Sequence, residues 1–326
     1  MQPKVYVTRR IPESGVKLLQ QSCDVEIWDS DDVVPREVFL KAVADKDAVL
    51  CLLTEKVDAE TLDVAKNAKI FANMAVGFDN IDVAECTKRG IMASNTPGVL
   101  TDTTADFAFT LLMSAARRIR ESHEFVQAGK WETWGPLLLM GQDIHHATLG
   151  LIGLGRIGTE MARRGQGFSM RVLYNDVVRR EDLEQELGLE YAEFDTVLEE
   201  SDFVSLHVPY LPATHHLIST EQLAKMKQSA VLINTARGPI VDPQALYTAL
   251  KSGEIWAAGL DVTDPEPIPM DDPLLTLDNC LIAPHIASAS FNTRSDMSEL
   301  AANNILAAIA GDRPPTILNP EVIENS

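Results

Sequence analysis

The run Gly153-Leu154-Gly155-Arg156-Ile157-Gly158 carries three glycines at the spacing that grips a pyrophosphate. It follows the apolar stretch Thr148-Leu149-Gly150-Leu151-Ile152, which reads as a buried strand, and runs into a helical segment through Glu160-Met161-Ala162-Arg163-Arg164. In that setting Gly153 permits the tight turn, Gly155 lets backbone approach the phosphates and Gly158 lets the helix pack closely on the strand. The helix N-terminus adds N–H groups and a positive dipole end. A glycine-rich turn without a ligand has the same spelling; the strand, turn and helix in succession separate the two. About twenty residues beyond the glycines, Val172-Leu173-Tyr174-Asn175-Asp176 ends a second strand on a carboxylate. Asp176 can accept from the ribose hydroxyls of an adenosine and repels a 2′-phosphate, so NAD is the expected cofactor. Arg179 and Arg180 follow closely. They are either a solvated loop or, if the loop folds back, a clamp for the 2′-phosphate of NADP, which keeps NADP open.

Three further segments each end an apolar run on a chemically useful side chain. Leu232-Ile233-Asn234-Thr235-Ala236-Arg237-Gly238 offers a guanidinium whose fork matches a carboxylate. Leu260-Asp261-Val262-Thr263-Asp264-Pro265-Glu266-Pro267 offers a carboxylate stiffened by prolines on both sides. Ala283-Pro284-His285-Ile286-Ala287-Ser288 offers an imidazole. Hydride transfer to a 2-keto acid needs these three: a cation for the carboxylate and carbonyl, a general acid for the developing alkoxide, and a partner that keeps the acid charged. Taken singly, Arg237 is equally a surface ion pair, Glu266 an acidic loop residue and His285 a structural histidine.

Together, and in this order and spacing, the glycine turn, Asn-Thr-Ala-Arg-Gly, Asp-Pro-Glu-Pro and Pro-His-Ile resemble the D-isomer-specific 2-hydroxyacid dehydrogenase family over essentially the whole chain. The resemblance implies that His285 is the acid/base, that Glu266 pairs with it and favours its charged form, and that Arg237 binds substrate carboxylate and carbonyl. It implies that Asp261 faces the nicotinamide. Thr104, Val208, Pro209, Thr214, Thr235, Ala236, Arg237, His285 and Ala287 would then join Asp176 and the turn residues Gly153, Leu154, Gly155, Arg156, Ile157 and Gly158 around the cofactor. Ala75-Val76-Gly77-Phe78-Asp79-Asn80 resembles the family's substrate loop. There the N–H groups of Val76 and Gly77 would hold the carboxylate, with Arg237, His285 and Ser288 completing the substrate contacts.

Within the family, Trp131-Glu132-Thr133-Trp134-Gly135-Pro136, Leu260-Asp261-Val262-Thr263 and Leu300-Ala301-Ala302-Asn303-Asn304 look most like glyoxylate/hydroxypyruvate reductases. The expected reaction is reduction of such a small 2-keto acid. Some of those enzymes insert a tryptophan from a dimer partner into the active site. Leu138 stands at the matching position here, which leaves substrate size open, and plain burial in a dimer explains the same apolar run. Phosphite dehydrogenases look similar around Gly77–Asn80 but place a lysine where this chain has Val76. Nucleotide-sensing corepressors also resemble the family, usually with partner-binding extensions. Ala287 stands where glycine is usual.

These residues have to be presented by a scaffold. Short apolar runs alternate with helical stretches from Val5 onward and again from Ala147, the pattern of parallel sheets covered on both faces. Residues 102–128 read as one long helical run between the two series. The expected architecture is α/β with two doubly wound parallel-sheet domains. A Rossmann dinucleotide domain, 101–286, would be inserted in a discontinuous, flavodoxin-like substrate domain formed by 1–100 plus 287–326. A formal charge of −20 disfavours nucleic acid and anionic membranes as partners, and it makes a local cation such as Arg237 necessary for an anionic substrate. Cys23, Cys51, Cys86 and Cys280 form no CxxC pair, and His145-His146 and His215-His216 have no second cluster at ligand spacing, so no metal is expected. No signal-peptide or membrane-length apolar run stands out, and a cytoplasmic homodimer is the expected form.

Overall fold

Buried apolar runs of four or five residues must pair with one another to satisfy their backbone groups, and helices between them make parallel pairing the natural result. The computed structural model describes residues 2–324, and all strand pairs in it are parallel. The chain divides into two compact units. One runs to Leu100 and resumes at Ala289; the other is Thr101–Ser288.

The first unit alternates β1 (Lys4–Val7), α1 (Glu13–Gln20), β2 (Asp24–Ile27), α2 (Arg36–Val43), β3 (Ala48–Cys51), α3 (Ala59–Val64), β4 (Ile70–Asn73), α4 (Val83–Lys88) and β5 (Met92–Ser94). Its sheet has the order β2-β1-β3-β4-β5. Tyr6, Val49, Cys51, Phe71 and Ala93 face one core, with α2, α3 and α4 residues packed against them. The long C-terminal helix, Phe291–Ala310, returns to this unit. It packs on α1 so closely that a Cβ on Gly15 would lie 2.4 Å from the Ser298 carbonyl oxygen. Gly311 ends that helix in the left-handed conformation (φ 84°), as a C-terminal glycine should.

The second unit opens with α5 (Thr101–Ala116) and α6 (Ile119–Gln127). It continues through β6 (Thr148–Ile152), α7 (Arg156–Gly167), β7 (Arg171–Asn175), α8 (Glu181–Leu187), β8 (Glu190–Tyr191), α9 (Phe194–Glu200), β9 (Phe203–Leu206), α10 (Thr220–Lys225), β10 (Val231–Asn234), α11 (Pro243–Ser252), β11 (Ala257–Leu260) and β12 (Cys280–Ile282). The order β12-β11-β10-β9-β6-β7-β8 makes β6 and β9 neighbours at the point where the winding reverses. Ligands of open α/β sheets bind at the strand carboxyl ends beside such a point. Alternation along β10 splits the core: Val231 and Ile233 pack with α5, while Leu232 packs with α10 and α11.

The helical run expected over 102–128 is two helices. Arg118 adopts φ 52° between them, and its guanidinium pairs with Glu121 at 2.5 Å. The Ala116 carbonyl accepts the N–H of Gln142, and a Cβ on Gly141 would sit 2.2 Å from that same oxygen. A distant segment thus takes over the end of α5.

Candidate active site

The turn after β6 has the geometry its glycines require. Gly153 has φ 95°, and a Cβ there would meet the His207 carbonyl oxygen at 2.7 Å. A Cβ on Gly158 would lie 2.3 Å from the Gly153 oxygen. Gly155 differs: a Cβ there would meet nothing within 4 Å. The fold demands the first and third glycines, whereas the second leaves space that an approaching ligand can use. Gly155 is the N-cap of α7 and brings no side-chain cap, so the first-turn N–H groups of Arg156 and Ile157 have no side-chain acceptor there. Asp176 reaches back from the end of β7, where its carboxylate accepts the N–H of Leu154 at 2.6 Å and that of Val178 at 3.1 Å. Arg179 is engaged twice by Glu184, at 2.9 Å, and its guanidinium lies over Tyr191. Arg180 is engaged by Asp182.

Thr235, at the end of β10, is buried with its hydroxyl unpaired. A buried hydroxyl without a partner is costly unless a ligand supplies one. The open space at Gly155, the uncapped helix end and this hydroxyl together fit a dinucleotide. Other expected contacts serve the loops themselves. The Thr214 hydroxyl donates to Pro209 and accepts from the Leu211 N–H, fixing the bend after β9 that carries Val208 and Pro209. Thr104 is buried in the first turns of α5. Sequence reasoning gave no role to His207, which follows β9. Its N–H donates to the Ile152 carbonyl and its ring meets the Ser205 hydroxyl at 2.9 Å. Burial pushes its pKa down to about 4, so the ring is neutral.

The strand ends of β10, β11 and β12 bring Arg237, Asp261 and His285 to one edge of the sheet. His285 Nδ1 and Glu266 Oε1 are 2.6 Å apart. Burial works against the Glu266 carboxylate, but the hydrogen bond and charge of His285 outweigh it, with help from Arg237, and its pKa is lowered. Glu266 sits between two cis-prolyl bonds, Asp264-Pro265 and Glu266-Pro267. His285 is held in the left-handed region at φ 54°. Its turn is fixed by Asp261, whose carbonyl accepts the His285 N–H and whose carboxylate accepts the N–H groups of Ile286 and Ala287, both at 2.7 Å. Burial pushes the Asp261 pKa up, against those hydrogen bonds.

Arg237 is presented by its own loop. Asn234 Nδ2 donates to the Arg237 carbonyl and Asn234 Oδ1 accepts from the Ala236 N–H. A Cβ on Gly238 would lie 1.8 Å from the Thr263 carbonyl oxygen, so only glycine lets this loop touch the segment leading to Glu266. The sequence signal for both was available: an asparagine and a glycine bracketing an arginine. Ser288 is half-buried at the end of this unit.

Val76 and Gly77 belong to the first unit, in the loop after β4. Their carbonyls accept from Asn95 Nδ2 at 2.7 Å and Asn73 Nδ2 at 2.8 Å. Among the described residues, no three or more His, Cys, Asp and Glu side chains are grouped as a metal site would require. No helix among them is long and apolar enough to cross a membrane.

The family model described as "D-isomer specific 2-hydroxyacid dehydrogenase, NAD binding domain" matches residues 109–287. A glyoxylate reductase of Korarchaeum cryptofilum is 52% identical over 99% of this chain and 98% of its own length. A protein of known structure from Thermus thermophilus superposes with a TM-score of 0.92 at 41% identity, covering 97% of this chain and 99% of that one. An NADPH-dependent glyoxylate/hydroxypyruvate reductase of Sinorhizobium meliloti, solved with NADP and malonate, gives a TM-score of 0.85 at 31% identity over 98% of this chain and 97% of its own. With the glycine turn, the carboxylate-paired histidine and the strand-end arginine in one Rossmann unit, the chain belongs to the D-isomer-specific 2-hydroxyacid dehydrogenase family.

Proposed function

We propose that the protein reduces glyoxylate, and hydroxypyruvate as a second small 2-keto acid, to the corresponding 2-hydroxy acid (the D isomer where the product is chiral), with NADH as the preferred reductant. The observation that carries this reading is the pair of His285 Nδ1 and Glu266 Oε1 at 2.6 Å on the sheet edge that also presents Arg237. With Nδ1 committed to Glu266, Nε2 is the nitrogen that gives its proton to the carbonyl oxygen as the C=O bond becomes C–O. Arg237 holds the carboxylate and draws charge onto that oxygen. The N–H groups of Val76 and Gly77 are proposed to bind the carboxylate too. When bound, the reduced nicotinamide supplies the hydride that forms the new C–H bond. Gly153–Gly158, Asp176, Val208, Pro209, Thr214, Thr235, Ala236 and Ala287 line the cofactor, and Ser288 the substrate.

Glyoxylate is the favoured substrate because the Korarchaeum relative, identical at 52% of positions, is a glyoxylate reductase. The preference for NADH rests on Asp176 and on the pairing of Arg179 with Glu184 and Arg180 with Asp182. The Sinorhizobium relative is named as NADPH-dependent, so this chain is proposed to differ from it. A homodimer is supported by Trp134 and Leu137, 79% and 78% exposed, in the segment after α6; light scattering reads the mass directly. A cytoplasmic location completes the proposal.

Loss of reduced-nicotinamide absorbance with glyoxylate and with hydroxypyruvate tests the reading. His285→Asn should lower kcat on the order of 100- to 10,000-fold while NADH still binds. Failure of the wild-type protein to turn over any small 2-keto acid would sink the enzymatic reading, and NADH binding alone would then point to a sensor.

A further inference from the structure

We infer that Asn95 and Asn304, with Thr316, are positioning residues that aim the N–H groups of Val76 and Gly77 at the substrate carboxylate, an inference that rests on the proposed role of those two groups. Three successive carbonyls of this loop are held from behind. The Ala75 oxygen accepts the Thr96 N–H at 2.8 Å, the Val76 oxygen accepts Asn95 Nδ2 at 2.7 Å, and the Gly77 oxygen accepts Asn73 Nδ2 at 2.8 Å. In a planar trans peptide the N–H points opposite to the C=O. Holding the Ala75 and Val76 oxygens therefore turns the N–H groups of Val76 and Gly77 away from these anchors. Among the described residues neither N–H donates to a protein acceptor.

Each anchor is itself held. Asn80 gives both amide hydrogens to the carbonyls of Leu52 and Glu55, at 2.9 and 3.0 Å, and its oxygen accepts from Asn73 at 3.1 Å. That turn is stapled by the buried Glu55 carboxylate, which accepts from Thr8 Oγ1 at 2.6 Å, the Leu52 N–H at 2.7 Å and Thr54 Oγ1 at 2.6 Å, with Arg9 at 3.5 Å. On the other side, Thr316 Oγ1 donates to the Asn95 carbonyl at 2.6 Å. Asn304 in the C-terminal helix brackets Thr316, with Nδ2 to its hydroxyl at 2.7 Å and Oδ1 to its N–H at 3.0 Å. Asn73 and Asn304 are fully buried, and Asn95 nearly so. Two relays of side-chain amides thus converge on two adjacent carbonyls. A loop that had only to be stable would need neither the convergence nor the unpaired donors.

The test measures Asn95→Ala and the milder Thr316→Val. Each should raise the KM for glyoxylate about tenfold, because small misplacement of a binding group is costly, while kcat stays within about threefold and the Kd for NADH is unchanged. Hydrogen exchange of the full-length wild-type protein is read alongside. With NADH and oxamate bound, the Val76 and Gly77 amides should slow, and the variants should lose that protection. Lower thermal stability with an unchanged KM in Thr316→Val would overturn the inference while protection in the wild type leaves the carboxylate reading standing. No protection in the wild type would overturn both. If Asn95→Ala fails to fold, Thr316→Val decides.

Discussion

The turn after β6 and the loop after β4 both follow the carboxyl end of a buried parallel strand, and both offer backbone N–H groups to an anion in the reading proposed above. They become rigid by opposite means. The first is shaped by missing side chains: Gly153 and Gly158 stand where any Cβ would strike backbone oxygen. The second is shaped by added ones: the Asn73 amide at the end of β4 and the Asn95 amide just after β5 hold its carbonyls, with Asn80 backing Asn73 and Asn304 of the C-terminal helix backing Thr316. A turn made by close packing rejects any added atom. A loop made by donors accepts a change of volume and fails when a donor is lost.

Four measurements can break that contrast. The largest effect belongs to Gly158→Ala, whose Cβ has no flexible neighbour to displace; a loss of roughly 3 kcal/mol and of NADH binding is expected from urea unfolding and fluorescence titration. Next comes acid stability. The folded-state pKa of His207 lies near 4, below its ordinary value of 6.5, so the unfolded chain takes up the proton first. Its contribution is complete above pH 6.5 and falls as pH drops toward 4, by up to about 3 kcal/mol, and His207→Gln should flatten that part of the stability curve. Gly155→Ala should separate fold from function within the first turn. Stability should stay within about 1 kcal/mol of wild type, apart from any gain in the unfolded state, while NADH affinity drops about tenfold or more. Equal effects of Gly155→Ala and Gly158→Ala on stability would erase the distinction. The smallest change is Asp176→Ser, expected to shift the NADH-to-NADPH preference about tenfold toward NADPH, the size of one charge contact. Indifference to the substitution would remove Asp176 as the discriminating group.

How much of this was legible before the structure follows from where each constraint comes from. Strands β6, β9, β10 and β11 announce themselves because they are buried on both faces and therefore largely apolar along their length. β5 is three residues and β8 two, too short to show a period. The break at Arg118 carries no glycine or proline; it is imposed by Gln142 and Gly141 arriving from elsewhere. Arg237, Glu266 and His285 each have a plain structural reading when taken singly; only the ordered set of motifs carries the resemblance that assigns them roles. The amide relays were not. Asn80 and Asn304 are 224 positions apart, and no local pattern tells an asparagine that holds a carbonyl from one that faces water.

Residues 316–319 have a consequence for the order of synthesis. Ile317 bridges Ser94, Leu318 donates to the Ala93 carbonyl, Asn319 accepts the Ala93 N–H, and Thr316 fastens Asn95. On the ribosome, Thr101–Ser288 emerges as one contiguous unit with every strand of its own sheet, and can close as it appears. The first hundred residues emerge earlier yet wait for some of the last to be made. A released chain truncated just before Thr316 should therefore already resist protease over the dinucleotide unit while β5 and the loop after β4 remain open to cleavage.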